Sequence, residues 1–449
     1  MAILLSTICL AFKVRRGRSE LVVPAKPKPT PYEFKQLSDI DDQEGLRFLL
    51  PIIQFYKHNP NMEGSDPAKV IKEAIAEMLV FYYPFAGKKL FVECTGEGIL
   101  FIEADVTFEQ FGDTPRPPFP CLEELLCDVP NHGGILNCPL LLVQVTRLKC
   151  GGFIFALRLN HTMSDASGIA QVMTAVAEIA RGASTPSILP VWQRALLNAR
   201  DPPAPTFPRH EYPKITAGAA APLADVSHRS FIFGPADISA VRKTLPLHLR
   251  RQCSAFDILW RLRTKALRTN PEQQVRILCP VDARSKFNDP PLPSGYYGNA
   301  IAFAAAATTA GELCRNPVAF AADLVRRAKA EVTAEYMKSA ADLMAMNGRP
   351  GFDVGGGAFV VSDVRRAGFE NVDFGWGAAA YGGPAEAGHN GTLGVASFFG
   401  TLKNKNGENG IVVPLVLPAA AMERFVVEIG VLLKVEEDGN QKGKSISAL

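Results

Sequence analysis

The sequence predicts a mixed α/β protein built as two halves, and three observations predict it. The chain has 449 residues, more than one hydrophobic core usually covers. Strand-like and helix-like patterns are mixed on both sides of its middle. Between them, over about residues 190 to 226, text such as "DPPAPTFPRHEYPKITAGAAAPL" is rich in Pro and Ala and has no period, which is the composition of a linker. The expected organisation is an N-terminal domain over 1–190, a crossover linker over 191–225, a C-terminal domain over 226–435 and a polar tail over 436–449.

The elements follow in order. "MAILLSTICLAF" is apolar and basic "KVRRGR" follows it. A signal peptide puts its positive charge before the apolar run, and a membrane helix needs about 20 apolar residues. The run therefore reads as an added segment leading into a first strand, "LAFKVRR". "LVVPAKPKPTPYEF" is extended and "LSDIDDQEG" is a turn or helix start. "SDPAKVIKEAIAEMLVFYYPFAG" predicts a helix capped by Ser65 or Asp66, with Pro67 in its first turn. Val70, Ile71, Ala74, Ile75, Met78 and Leu79 form its apolar face, and Pro84 and Gly87 stop it. "LLLVQVTRL" (140–148) and "GFIFALRLN" (152–160) predict a hairpin turned by "KCGG". His161 follows directly, and "DASGIAQVMTAVAEIARG" then predicts a helix ending at Gly182.

In the second half, "HRSFIF" predicts a strand, and "PADISAVRKTLP" and "SAFDILWRLRTKAL" predict helices. "VRILCPVDAR" predicts a buried strand, and one helix is expected over about 317 to 345. "GAFVVSDV" and "GVASFFG" predict strands, "PAAAMERFVVEIGVLLKV" a final helix and "EEDGNQKGKSISAL" a disordered tail.

Composition excludes several classes of function. The chain is 47% hydrophobic and 21% charged with a formal net charge of +3, an ordinary globular balance. Its Lys and Arg form no block or stripe, so no nucleic-acid partner is expected; no membrane partner is expected either. The nine cysteines contain no C-x-x-C pair. Cys94, Cys138, Cys150 and Cys279 sit among apolar residues and read as buried free thiols of a reducing, cytoplasmic compartment. His and Cys show no zinc-ligand spacing, so no metal is expected. Neither phosphate-binding glycine motif is present, nor is the G-x-S-x-G nucleophile elbow.

Two stretches carry chemistry. In "ALRLNHTMSDASG", His161 lies at a strand-to-helix junction with Asp165 at the helix entrance, and rigid elements on both sides suit such a position to catalysis. Alone, the stretch also fits a structural His beside a capping Asp. It fits a metal-ligand pair, although no third ligand is evident, and a hydrolase built on Ser164, although sequence neighbours do not make a triad. "VDFGWG" (372–377) combines Asp, Gly and Trp in a tight, rigid turn.

Together they resemble a known family. His161-Thr-Met-Ser-Asp165 matches the H-x-x-x-D motif, and Asp373-Phe-Gly-Trp-Gly377 the D-F-G-W-G motif, of the plant BAHD acyltransferases, in the family's order. "YYPFAG", "ECTGEG", "QVTRLKCGGF" and "GYYGN" match as well, so the resemblance runs from about residue 10 to about 435. "ELVVPAKPKPTPYEFKQLSDIDDQEGLRF" and "DARSKFNDPPLPSGYYGN" look most like the group that transfers benzoyl to benzyl alcohol.

The resemblance implies two domains of the chloramphenicol acetyltransferase type that meet along a solvent channel. Acyl-CoA, benzoyl-CoA first, enters from one side as co-substrate and a small alcohol from the other; no cofactor is permanently bound and the protein is a monomer. His161 would be the general base. A neutral imidazole with a pKa near ~6.5 takes the hydroxyl proton at neutral pH, a role contributing on the order of 10²–10⁴ in rate, and returns it to the CoA thiolate. Asp165 would pair with Arg284 and aim His161. Asp373 is either a second catalytic group or the carboxylate fixing a turn shaped by Gly375 and Gly377. Trp376 either lends an N–H to the oxyanion or packs. Arg250, Arg251 and Ser254 in "LRRQCSAF", and Ser362 in "VVSDV", would contact CoA. The segment "AFDILW" is about four residues shorter than in relatives, about one helical turn. With the extra Asp289 and the unusual N-terminus, it leaves open a second reading, an impaired family member that only binds ligands or partners.

Overall fold

Runs of apolar residues in strands, flanked by helices with one apolar face, can be buried only by layering helix on sheet. The computed structural model describes residues 13–25, 30–86, 91–106, 115–129, 138–207, 225–250, 256–351, 357–388, 395–403 and 409–434. The expectations for the first residues, Gly87, Arg251, Ser254 and the polar tail lie outside them.

The first sheet runs Val14–Arg16, Ile99–Val106, Leu141–Leu148, Phe153–Asn160, Leu49–Tyr56 and Tyr381–Pro384, with Glu20–Val22 also on Ile99–Val106. Leu141–Leu148 and Phe153–Asn160 form the expected hairpin, with Leu142 opposite Arg158 and Arg147 opposite Phe153. Every residue of Phe153–Asn160 is buried, because both faces of the sheet are covered. The helices Pro67–Phe81 and Ala166–Ala180 cover one face. On the other face, Ile53, Phe55, Ile154 and Ala156 meet Leu402 and Val412 of the second sheet. Asp66, not Ser65, caps Pro67–Phe81, its carboxylate accepting from the Ala68 N–H at 3.1 Å.

The second sheet runs Ile301–Thr309, Gln274–Asp282, Ala358–Asp363, Ala396–Lys403, Asn409–Pro418 and Val226–Phe233. The helices Phe256–Ala266, Val318–Ala330, Ala334–Asn347 and Ala419–Lys434 pack in its core. The helix Phe256–Ala266 buries Ile258, Leu259, Trp260, Leu262 and Ala266. The two halves interlock. Tyr381–Pro384, from the second half, pairs antiparallel with Leu49–Tyr56 at the edge of the first sheet.

Three expectations change. The single helix over about 317 to 345 is two. The first ends at Ala330, and the Thr333 hydroxyl restarts the chain by accepting from the Tyr336 N–H at 3.1 Å. Cys150 is exposed in the hairpin turn, whereas Cys94, Cys138 and Cys279 are buried. Strands at Leu49–Tyr56, Ile99–Val106, Ile301–Thr309 and Asn409–Pro418 add to those the patterns predict.

Candidate active site

His161 begins a 3₁₀ turn, His161–Met163, between the strand Phe153–Asn160 and the helix Ala166–Ala180. The Asn160 side chain caps that turn, accepting from Thr162 N at 3.2 Å and Thr162 Oγ1 at 2.8 Å. The His161 N–H donates to the Phe48 carbonyl at 3.0 Å, and the Phe48 ring lies 5.2 Å from the imidazole. The imidazole is thus held at the end of a central strand.

Asp165 caps the following helix, its Oδ1 accepting from the Gly168 N–H at 2.9 Å. It is buried and also accepts a two-pronged pair from Arg284, at 2.8 and 2.9 Å, and the Ala300 N–H at 2.9 Å. Such bidentate charge-assisted geometry is among the stronger polar contacts in proteins. Arg284 also donates to the Gly298 carbonyl at 2.7 Å and lies 3.2 Å from Asp282. Burial opposes the charge of Arg284, but Asp165 and Asp282 outweigh it and raise its pKa further. Gly168 is required here by space alone, since a Cβ would lie 2.1 Å from the Tyr297 carbonyl oxygen. The close approach lets the helix start sit against the "GYYGN" segment that carries Tyr297.

A second buried ion pair lies beneath the turn. Asp41 and Arg194 meet at 2.6 Å with side chains 0% and 1% exposed. Asp41 also accepts from Ser38 N and Oγ, and from Asn299 N and Nδ2. Arg194 donates to the Met163 carbonyl at 2.8 Å and stacks on Trp192, 4.4 Å from its ring centre. Asn299 Nδ2 donates to the His161 carbonyl at 2.9 Å. The pair therefore ties the "LSDIDD" turn, the "WQRALL" stretch and the "GYYGN" segment to the His161 turn. Sequence reasoning assigned no role to Asp41, Arg194 or Asn299, because nothing local in those stretches shows what they reach across the fold.

Burial draws the His161 pKa below the usual 6.5, although its own carbonyl, Asp165, Asn299 and Asp41 favour the charged ring. The imidazole is therefore neutral at neutral pH, the state in which a histidine accepts a proton.

The other predicted residues are elsewhere. Asp373 Oδ1 accepts from the Gly375 and Gly377 N–H groups at 2.8 and 2.7 Å, across a turn in which both glycines have positive φ. Arg181 donates to the Asp373 carbonyl. Trp376 packs edge-on against Phe153, 5.2 Å between ring centres. Phe153 begins the strand Phe153–Asn160, and His161 follows its other end. At about 3.3 Å per residue, that strand sets them on the order of 25 Å apart. Of the alternatives open for Asp373 and Trp376, the carboxylate that fixes a turn and the packed ring fit this placement. Arg250 donates to the carbonyls of Leu245 and Lys243 at 2.8 and 3.0 Å, closing its own loop. Ser362 is half-buried on the strand Ala358–Asp363. Among the described residues, no three His, Cys, Asp or Glu side chains are placed to hold a metal ion.

Comparison with known proteins bears on this arrangement. A family model described as the transferase family matches residues 12–431, and the chain therefore belongs to that family, the BAHD acyltransferases its two motifs resemble. It is 62% identical to benzyl alcohol O-benzoyltransferase of Nicotiana tabacum and 60% identical to that of Petunia hybrida, covering 95% of each chain in both cases. Among solved structures, the fold is similar to vinorine synthase, with a TM-score of 0.71 at 21% identity over 94% of this chain and 98% of that one. It is also similar to F. graminearum TRI101 complexed with coenzyme A and T-2 mycotoxin, with a TM-score of 0.64 at 16% identity over 87% and 96%.

Proposed function

We propose that this protein transfers an acyl group, benzoyl first, from acyl-CoA to the hydroxyl of a small alcohol such as benzyl alcohol. The high identity to two benzyl alcohol O-benzoyltransferases is the observation that carries the reading. His161 is the general base of a direct reaction between the two bound substrates. As the alcohol oxygen attacks the thioester carbonyl carbon, His161 takes the hydroxyl proton. The tetrahedral intermediate then breaks its C–S bond, and His161 hands the proton to the departing CoA sulfur. An ester and free CoA are left, and no acyl-enzyme forms.

The depressed pKa of His161 supports this role, since it keeps the ring unprotonated for attack. Asp165 serves as a positioning residue. Its carboxylate is saturated by Arg284, Gly168 and Ala300, which leaves it no place in proton transfer. Acyl-CoA and the alcohol reach His161 from opposite sides of the junction between the two halves. Arg250, Arg251, Ser254 and Ser362 are the proposed CoA contacts, and the reading carries with it a cytoplasmic monomer. No described helix is long and apolar enough to cross a membrane.

Release of CoA from benzoyl-CoA, with and without benzyl alcohol, tests the reading. Alcohol-dependent release together with benzyl benzoate in the product supports it. No release from folded protein across a panel of acyl donors and alcohols overturns it in favour of a binding protein.

A further inference from the structure

Among the buried polar atoms of the site that lack partners are Nδ1 of His161 and Oδ1 of Asn299. They belong to one small neighbourhood, because the same Asn299 amide donates from Nδ2 to the carbonyl of His161 at 2.9 Å. Its orientation is locked. Nδ2 also donates to Asp41 Oδ1 at 2.9 Å, and a flipped amide would set its oxygen against that carboxylate, acceptor on acceptor. Another acceptor that acts on the ring is the carbonyl oxygen of His161 itself. That oxygen already receives Asn299 Nδ2 at 2.9 Å and the Ser164 N–H at 3.3 Å, which uses both of its lone pairs. Buried polar groups are rarely left unmade, since each costs its full desolvation.

We propose that Asn299 is a positioning residue whose Oδ1 accepts the Nδ1–H of His161, so that Nε2 carries the lone pair that receives the alcohol proton. This rests on the reading of His161 as general base. The tautomer of a catalytic histidine is set by the hydrogen bond of its other nitrogen, and here a neutral amide sets it. The nearby carboxylates are engaged elsewhere: Asp165 faces Arg284 and Asp41 faces Arg194. Burial lowers the pKa of the ring, and its own carbonyl and the Asn299 amide act in the opposite direction, favouring the charged form.

Nitrogen-15 NMR of protein labelled in its histidine rings reads the tautomer directly, with His161→Gln identifying the His161 signals. Above the pKa of the ring, the proposal expects a protonated Nδ1 and a bare, pyridine-like Nε2. A proton on Nε2 in the unaltered protein overturns it, and that arm needs no variant to fold. In folded Asn299→Ala, kcat should fall about 10–100-fold, the usual loss for an outer-shell partner. The donor KM should hold, the Nδ1–H tautomer should be lost, and the acidic limb of kcat/KM should move to lower pH. General loosening of the site would lower kcat while leaving tautomer and limb in place, and that result also overturns the proposal. Undiminished activity in His161→Ala would instead remove the general-base reading, whatever tautomer the ring shows.

Discussion

Replacing Asp165 with Asn keeps the size of the side chain and removes its charge. The carboxylate accepts four hydrogen bonds, from Gly168 N, Ala300 N and both terminal nitrogens of Arg284. An amide offers one oxygen and one NH₂, so one of the two pairs must face a donor. Each charge-assisted bond is worth about 1.5–3 kcal/mol, and breaking a buried ion pair costs about 3–5 kcal/mol. Arg284 keeps the Gly298 carbonyl and Asp282, and its side chain is 22% exposed. The expected destabilisation therefore falls at the low end, about 3 kcal/mol. The loosened helix start should also release the His161 turn, lowering kcat about 10–100-fold, as loss of a supporting partner commonly does. Thermal unfolding and CoA release, measured on the same preparation of Asp165→Asn, read both effects. A double-mutant cycle with Arg284→Gln should show a coupling of about 0.5–3 kcal/mol in stability. A melting midpoint and a kcat both equal to those of the unaltered protein would refute the positioning role.

Three further outcomes are expected. Because burial lowers the pKa of His161 in the folded protein, activity should be present above that pKa and lost as pH falls through it; the acidic limb of kcat/KM should lie below pH 6.5, and a limb above that value would contradict the assignment. Asp373→Ala removes the acceptor of two turn N–H groups and should cost about 1–3 kcal/mol in thermal stability. Its kcat should change by less than about tenfold, because the loop is not at the reacting atoms; a larger kcat loss in a folded sample would restore a catalytic role. Gly168→Ala drives a Cβ to within 2.1 Å of the Tyr297 carbonyl oxygen; it should lower the melting midpoint and kcat together, and unchanged values would show that the helix start has room to shift.

Much of the first half was legible in the sequence because its signals are local. The hairpin, the His161 junction and the Asp165 cap all follow from period, turn residues and cap chemistry within a few residues of one another. The strands that reasoning missed depend on partners far along the chain. Ile301–Thr309 is rich in Ala, a helix former, and is a strand because it lies along Gln274–Asp282. Asn409–Pro418 contains Pro414 and survives by pairing with Ala396–Lys403 and Val226–Phe233. The site divides in the same way. The H-x-x-x-D motif exposed His161 and Asp165, and family likeness supplied Arg284. Asp41, Arg194 and Asn299 stayed silent because burial and the folded chain alone bring them under the turn. Trp376 is a case in which the sequence leaves two roles open. The chemistry of its side chain allowed an oxyanion role, but its packing against Phe153 sets it at the wrong end of the strand.

In the proposed reaction the imidazole of His161 takes the alcohol proton. The most direct measurement is the alcohol-dependent rate of CoA release from benzoyl-CoA by His161→Ala beside the unaltered protein, with circular dichroism and melting midpoints showing that both are folded. A fall in kcat on the order of 10²–10⁴ is expected, the contribution of a positioned general base. Equal rates in the two folded proteins would contradict it.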